Sequence, residues 1–126
     1  MLVNNAGFGI HTALTDPDVA MHDRGFEVMV RAVLVLSGAA ARGMMARGHG
    51  AIVNVSSTAG FMTMGSYSAM KAWVTSYTEG LAVELKGTGV TATALCPAGC
   101  APISTTARAS RRAASPTRCG STPIRS

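Results

Sequence analysis

Residues 55–73 read VSSTAGFMTMGSYSAMKAW, and this stretch decides the fold because it joins the end of an apolar strand to a helix. Tyr67 and Lys71 are four residues apart and therefore lie on one face of that helix. An ammonium group beside a phenol favours the ionised form, so Lys71 would poise Tyr67 for proton transfer. Ser57, at the strand end, would hydrogen-bond a substrate carbonyl oxygen as Tyr67 protonates it. The stretch suits reduction of a carbonyl group, or the reverse reaction.

Strands and helices alternate on both sides of this stretch. The pattern predicts strands at residues 2–4, 51–55 and 90–95 and helices at residues 19–47 and 66–86. The first helix would end near Gly48 and the second at Gly87, with Ser66 as the N-cap of the second. Trp73 and Val74, beyond the lysine, are predicted to be buried. Alternating β and α elements predict an α/β fold with a parallel sheet flanked by helices.

Three blocks together are specific to one family, whereas Tyr-x-x-x-Lys alone is a weak motif. They are LVNNAGFG at 2–9, GAIVNVSSTAGF at 50–61 and GLAVELKGTGVTATALCP at 80–97. In order and approximate spacing they resemble the short-chain dehydrogenase/reductase family over residues 1–97. The resemblance implies a partial Rossmann-like, doubly wound parallel sheet with about three strands and two long helices. It also implies NAD or NADP as cofactor and hydride transfer at a carbonyl or alcohol carbon of a small molecule.

The resemblance also implies roles for individual residues. Tyr67 matches the general acid/base, and Lys71 matches the lysine that holds the nicotinamide ribose and assists the tyrosine. Ser57 matches the serine that orients the substrate oxygen, with Ser56 as the alternative. The positions that match the family's cofactor side are Asn4, Ala6, Gly7 and Pro97. Relatives form homodimers or tetramers through the two long helices, which would cover Trp73 and Val74.

The start of the chain departs from the family pattern. Relatives open with a strand, a glycine-rich turn and a helix whose N-terminus receives the pyrophosphate. This sequence begins inside LVNNAG, at the equivalent of the fourth strand, and the glycines of GFG at 7–9 are no substitute. The strand at 2–4 is therefore expected to form an open sheet edge, and the chain is expected to be marginally stable.

Met29 is a second departure. The family has an asparagine here, whose side chain helps to hold a water that links the active-site lysine to solvent. A thioether is a weak acceptor and cannot donate a hydrogen bond, so Met29 cannot hold that water in the same way. Such an enzyme is expected to be slow, by as much as about 10²–10⁴-fold.

Residues 98–126 form a basic, low-complexity tail without an amphipathic period. Six Lys/Arg balance six Asp/Glu in residues 1–97, so the five arginines of the tail carry the whole net charge of +5. We interpret residues 1–97 as a partial Rossmann-like domain and residues 98–126 as a disordered tail read out of frame after a one-base deletion near Pro97. Sequencing the gene tests this interpretation. A nucleic-acid-binding arm is the alternative for the tail.

Other features limit the remaining function classes. The three cysteines fit neither a zinc site nor a disulfide framework, and His11, His22 and His49 are interpreted as loop or surface residues, so no metal is expected. No leader and no apolar run long enough to cross a bilayer is visible, which predicts a cytoplasmic protein without membrane or nucleic-acid partners. Two classes remain: an oxidoreductase by lineage without full activity, and a catalytically dead fragment of a disrupted gene.

Overall fold

The computed structural model describes residues 1–63, 65–97 and 103–104, in which strands alternate with helices. The strands are β1 (Leu2–Asn4), β2 (Gly50–Val55), β3 (Val90–Leu95) and β4 (Ile103–Ser104). The helices are α1 (Ala20–Gly25), a π-helical segment (Phe26–Arg31), α2 (Ala32–Arg47), a 3₁₀ turn (Thr58–Phe61) and α3 (Gly65–Glu84). The α/β class predicted from the sequence is confirmed.

The strands form one sheet in the order β1-β2-β3-β4. β1 pairs with β2, and β2 with β3, in parallel, whereas β4 pairs antiparallel with β3. Val53 is the residue that aligns with Val3 on one side and Thr93 on the other. Three parallel strands with two long helices make the predicted partial Rossmann-like arrangement. Of the tail that was predicted to be disordered, the structure describes only Ile103 and Ser104, which form β4. The rest of the tail lies outside the described residues, and the frameshift interpretation stays a prediction.

Both long helices cover the same face of this sheet. The core joins Ala41 and Met44 of α2 and Ala82 and Leu85 of α3 to residues of β2 and β3, which are Ile52, Val90 and Ala92. On the opposite face the alternate residues are less covered, and Val3 is 50 % exposed. Among the described strands β1 lies at one edge of the sheet. Within the described residues, the two long helices therefore cover one face of the sheet and leave the other face more exposed.

The helix predicted at 19–47 is confirmed as a continuous run from Ala20 to Arg47. It ends where Gly48 adopts a left-handed conformation with φ 78°, and the Gly48 N–H bonds the Met45 carbonyl. α3 begins one residue earlier than predicted, so the prediction that Ser66 is its N-cap is wrong. Ser66 lies inside the first turn, where its hydroxyl has a tertiary partner instead.

Trp73 and Val74, the two residues of α3 that were predicted to be buried, differ in how far this chain buries them. Val74 is buried by this chain alone, whereas Trp73 is half-buried and stacks on Tyr77 with the ring centroids 4.8 Å apart. Burial of Trp73 is therefore only partly achieved in the single chain.

Within the part of the chain that the structure describes, one helical run is long and apolar enough to cross a membrane, which corrects the prediction that no such run is present. It spans Ala20–Arg47, 28 residues, with a mean hydropathy of 1.5 in its most apolar window. A core helix of a soluble protein has the same length and composition. Residues at helical spacing on α2, namely Val33, Ser37, Ala41 and Met44, are buried against the rest of the fold. The packing of this helix is consistent with a soluble protein.

A buried network of polar side chains crosses the covered side of the sheet. The Asn4 amide donates to Asn54 Oδ1 at 2.8 Å and to Ser37 Oγ at 3.1 Å. The Asn54 amide donates to Thr78 Oγ1 at 3.0 Å. The network joins β1, β2, α2 and α3 through side chains that satisfy one another, which is the condition for burying polar groups without large cost.

Replacement of Asn54 with alanine should destabilise the fold. Asn4, Ser37 and Thr78 would each lose one hydrogen bond to a buried partner, and each such bond contributes about 0.5–1.5 kcal/mol. We expect the free energy of unfolding in urea to fall by at least this amount. Asn5→Ala, at the exposed neighbour of Asn4, is the control and should unfold like the parent. Equal stability of Asn54→Ala and the parent would contradict this role of the network.

Candidate functional site

The predicted serines lie where β2 ends and the 3₁₀ turn begins. Ser56 is 2 % exposed, and its hydroxyl donates to the Lys71 carbonyl at 2.8 Å and pairs with Thr75 Oγ1 at 2.7 Å. Ser56 therefore fastens the end of β2 to the middle of α3. Its hydroxyl is engaged inside the protein rather than directed to a ligand.

Ser57 has a different environment. It is half-buried in extended conformation, with φ −159° and ψ 153°, and it is the N-cap of the 3₁₀ turn. Its Oγ accepts a hydrogen bond from the Ala59 N–H at 3.1 Å. A hydroxyl that accepts one bond still has its own hydrogen to donate. Of the two serines, Ser57 is thus the one whose geometry allows it to donate to a substrate oxygen.

Tyr67 and Lys71 are brought together on α3 as the spacing predicts. Lys71 Nζ lies 5.9 Å from the centroid of the Tyr67 ring, and the same Nζ donates to the Val55 carbonyl at 3.1 Å. Lys71 is 5 % exposed. The carbonyl at the end of β2 therefore holds the ammonium beside the phenol ring, within cation–π range.

Gly7 and Met29 complete this corner of the molecule. A Cβ placed on Gly7 would lie 3.4 Å from Lys71 Nζ and 3.4 Å from Met29 Sδ, so these two atoms are at most twice that distance, 6.8 Å, apart. Met29 is 1 % exposed and packs with Ile10 and Met70 in a cluster that Tyr67 also contacts. The lysine thus has an apolar thioether as its neighbour, on a π-helical segment of a kind often found at functional sites.

Burial has an electrostatic consequence for the lysine. It lowers the pKa of Lys71 from the ordinary value of 10.5, because the charged form is poorly solvated inside the protein. The native protein therefore holds this proton less tightly than the unfolded chain does. Stability due to this group rises as the pH rises toward 10.5 and is lost as the pH falls through the native pKa.

The Lys71→Met variant should reveal this cost. It removes the buried charge, so its gain in unfolding free energy over the parent should be largest near neutral pH and should shrink as the pH approaches 10.5. Urea unfolding of both proteins across this range is the measurement. Lys86→Met, at an exposed position, controls for loss of a lysine and should show no such trend. A difference between Lys71→Met and the parent that grows with pH would contradict the direction of the shift.

The remaining predicted residues lie near the ends of the strands. Ala6 and Gly7 are exposed in the segment that follows β1, and Pro97 is exposed in a turn after β3. Asn4 instead turns its amide into the buried network of Asn54 and Ser37. Its direct contacts therefore stabilise the sheet that carries the site.

Sequence reasoning missed several residues that hold the site. Thr75 and Thr78 lie on the buried face of α3, where the buried residues recur at positions 68, 70, 71, 74, 75, 78 and 82. Polar residues recurring on one face of a helix are the signal that could have revealed them. The interpretation of His22 as a loop or surface residue is wrong. It is 9 % exposed and lies on α1, with Nδ1 2.6 Å from Ser66 Oγ.

The donors present fit part of a dinucleotide. The hydroxyl of Tyr67 and the ammonium of Lys71 are hydrogen-bond donors of the kind that ribose hydroxyls accept. Gly7 has no side chain, and its backbone lies close to the Lys71 ammonium, since a Cβ placed there would be 3.4 Å from Nζ. In parallel α/β sheets, ligands bind at the carboxyl ends of the strands, which is where these residues lie. Within residues 1–63, 65–97 and 103–104, no three His, Cys, Asp or Glu side chains are grouped to hold a metal.

Comparison with known proteins gives one consistent result. The model of the short chain dehydrogenase family matches residues 1–115. The chain is 39 % identical over 99 residues to 2-(S)-hydroxypropyl-CoM dehydrogenase 3 of Xanthobacter autotrophicus, covering 76 % of this chain and 39 % of that protein.

Two solved structures have the same fold. A short-chain dehydrogenase from Sphingobium yanoikuyae in complex with NADPH superposes with a TM-score of 0.73 at 32 % identity, over 80 % of this chain and 41 % of the other. The 3-ketoacyl-(acyl-carrier-protein) reductase of Brucella melitensis complexed with NADH gives 0.69 at 31 % identity, over 76 % and 43 %. The chain spans about two fifths of the length of these proteins.

Proposed function

Because this chain belongs to the short-chain dehydrogenase family, we propose that it carries the proton-transfer part of an NAD- or NADP-dependent oxidoreductase that interconverts ketones and secondary alcohols. The single observation that carries the proposal is the Tyr67–Lys71 pair. Lys71 Nζ donates to the Val55 carbonyl and lies 5.9 Å from the centroid of the Tyr67 ring. The relative named as a ketoacyl reductase and complexed with NADH supports the carbonyl substrate class.

Each residue has a part in the proposed reaction. In reduction, Tyr67 gives its hydroxyl proton to the substrate oxygen as the carbonyl carbon is reduced. Ser57 donates its hydroxyl hydrogen to the same oxygen and fixes its position. In oxidation of an alcohol, Tyr67 takes the proton back. Ser56 is assigned a supporting part only, because its hydroxyl is engaged with Lys71 and Thr75.

The nicotinamide cofactor supplies or accepts the hydride when it is bound. Lys71 would donate to its ribose, and Gly7 allows close approach of the backbone from β1. Ala6 and Pro97 would border the bound cofactor, and Asn4 would support this region through its hydrogen bonds to Asn54 and Ser37. The relatives in complex with NADPH and with NADH leave both nucleotides as candidates for this chain.

The proposal includes an association through the two long helices. Leu34 and Val35 of α2 are about half exposed and line a groove of about 690 Å³ together with Tyr77 and Leu81 of α3. A second copy covering this groove would give a homodimer, or a tetramer, in the cytoplasm. Size-exclusion chromatography with light scattering tests the state, and a monomer at all concentrations would contradict it.

A catalytically dead chain is the second candidate, and Met29 favours it. Its thioether lies within 6.8 Å of the Lys71 ammonium, at the position where the family resemblance implies a polar group that links the lysine to solvent. Such a chain keeps the fold and the tyrosine–lysine pair without turnover. Both candidates place the same residues at the same site and differ only in rate.

The deciding experiment is turnover by the full 126-residue chain. Oxidation of NADPH and of NADH is followed by absorbance with a panel of aliphatic and aromatic ketones, and reduction of NADP and NAD with the matching secondary alcohols. Tyr67→Phe is the control for contaminating reductases. Ketone-dependent oxidation that Tyr67→Phe lacks supports the enzyme, whereas equal rates in both proteins support the inactive chain.

A further inference from the structure

His22 and Ser66 form a contact that the proposed reaction does not use. His22 Nδ1 lies 2.6 Å from Ser66 Oγ, and His22 Nε2 lies 3.3 Å from the Ala13 carbonyl oxygen. Since a carbonyl can only accept, Nε2 carries the hydrogen in this pair. In the neutral ring, Nδ1 then accepts the hydroxyl hydrogen of Ser66. One imidazole thus joins the loop before α1, α1 itself and the first turn of α3.

A second contact lies one turn further along the same two helices. Gly25 is three residues after His22 on α1, and a Cβ placed on Gly25 would overlap Ile10 Cδ1 and lie 3.0 Å from Met70 Sδ. The lack of a side chain at Gly25 therefore lets α1 approach Met70 closely. Because His22 and Gly25 share a face of α1, the two contacts act together.

The residues that α1 contacts are the immediate neighbours of the proposed catalytic pair. Ser66 precedes Tyr67, and Met70 precedes Lys71. Successive residues of an α-helix are rotated by about 100° around its axis, so the face of α3 that α1 holds determines where the next face points. That next face carries the tyrosine and the lysine.

We propose that His22 and Gly25 are positioning residues that fix the rotation of α3 and so the direction of Tyr67 and Lys71. Ser56 provides an independent anchor from β2 through the Lys71 carbonyl. With contacts to α1 on one side and to β2 on another, α3 has one rotational setting. The part of the inference that concerns rate rests on the proposed function, whereas the orientation of Tyr67 does not.

A spectroscopic test reports this orientation directly. The full chain contains two tyrosines, so Tyr77→Phe protein made with 3-fluorotyrosine has a single fluorine probe at Tyr67. In this background we expect His22→Phe and Ser66→Ala to shift the ¹⁹F resonance of the folded protein. His22→Gln, which keeps one donor and one acceptor, should return it toward the parent value. His49→Phe, at an exposed histidine, is the control and should leave it unchanged.

Rates separate positioning from simple stabilisation. If the chain reduces ketones, His22→Phe and Ser66→Ala should lower kcat per folded molecule by up to about 10²-fold, as a misplaced catalytic group does. A purely structural role would lower Tm while the resonance and kcat of the folded molecules stay at the parent values, which would overturn the proposal. If His22→Phe does not fold, Ser66→Ala decides. If the parent is inactive but the two substitutions still shift the resonance, the proposed ketone–alcohol activity is refuted and the positioning is retained.

Discussion

Replacing Tyr67 with phenylalanine should lower the turnover of ketone by about 10²–10⁴-fold near neutral pH, the usual contribution of general acid catalysis. The substitution removes one oxygen and keeps the ring, which packs against the cluster of Ile10, Met29 and Met70. The variant should therefore fold and melt like the parent. Because the hydroxyl acts on the substrate as charge develops on its oxygen, we expect kcat to fall with little change in KM.

Tyr77→Phe is the matched control for this prediction. It makes the same chemical change on the same helix, ten residues away, where the ring stacks on Trp73 rather than facing Lys71. We expect its rate to remain within about twofold of the parent, since it lies outside the site. Equal losses in the two variants would indicate a general effect of removing a hydroxyl from α3. A Tyr67→Phe variant with parental kcat would exclude Tyr67 as the proton donor.

Local patterns of the sequence predicted the elements that carry this site. β2 and α3 follow from an apolar β-branched run and from helical periodicity, and the four-residue spacing alone brings Tyr67 and Lys71 together. The left-handed Gly48 ends the first helical run where the sequence indicates. These features depend on residues close in sequence, and for that reason they could be read without a structure.

Contacts between distant segments could not be predicted in this way. Ser66 has the chemistry of an N-cap, but its hydroxyl meets His22, which is 44 residues earlier in the chain. The same contact is the reason that His22 is buried rather than on the surface. The choice between Ser56 and Ser57 also needed the fold, because Ser56 is distinguished only by its bonds to Lys71 and Thr75 on the adjoining helix.

The site therefore consists of two groups of residues: the reactive side chains and the residues that surround them. The reactive groups are set by short-range spacing on α3, whereas their surroundings come from β2, from α1 and from the segment after β1. Met29 belongs to the second group: its helical position is predictable, but its proximity to Lys71 is known only through Gly7, whose backbone approaches both side chains. The residue that we expect to limit the rate, Met29, is thus one that the Tyr–Lys pattern does not contain.

Replacing Met29 with asparagine should raise the turnover, by up to about 10²–10⁴-fold if proton supply through Lys71 limits it. The thioether neither donates a hydrogen bond nor accepts one well. Met29 Sδ lies at most 6.8 Å from Lys71 Nζ. An asparagine amide at this position could therefore bind a water that bridges to the ammonium. The same change puts a polar group among Ile10 and Met70, so the free energy of unfolding should fall by about 1–3 kcal/mol. The prediction is thus a faster and less stable protein.

Met29→Leu separates the two effects, because it keeps an apolar side chain of similar volume and adds no hydrogen-bonding group. We expect it to melt close to the parent and to remain as slow. Steady-state rates per folded molecule and urea unfolding of the three proteins are the measurements. A gain shared by Met29→Leu would show that the shape of the thioether, rather than its lack of a donor, limits the rate. A folded Met29→Asn variant that stays at the parental rate would mean that the methionine is not what slows this site.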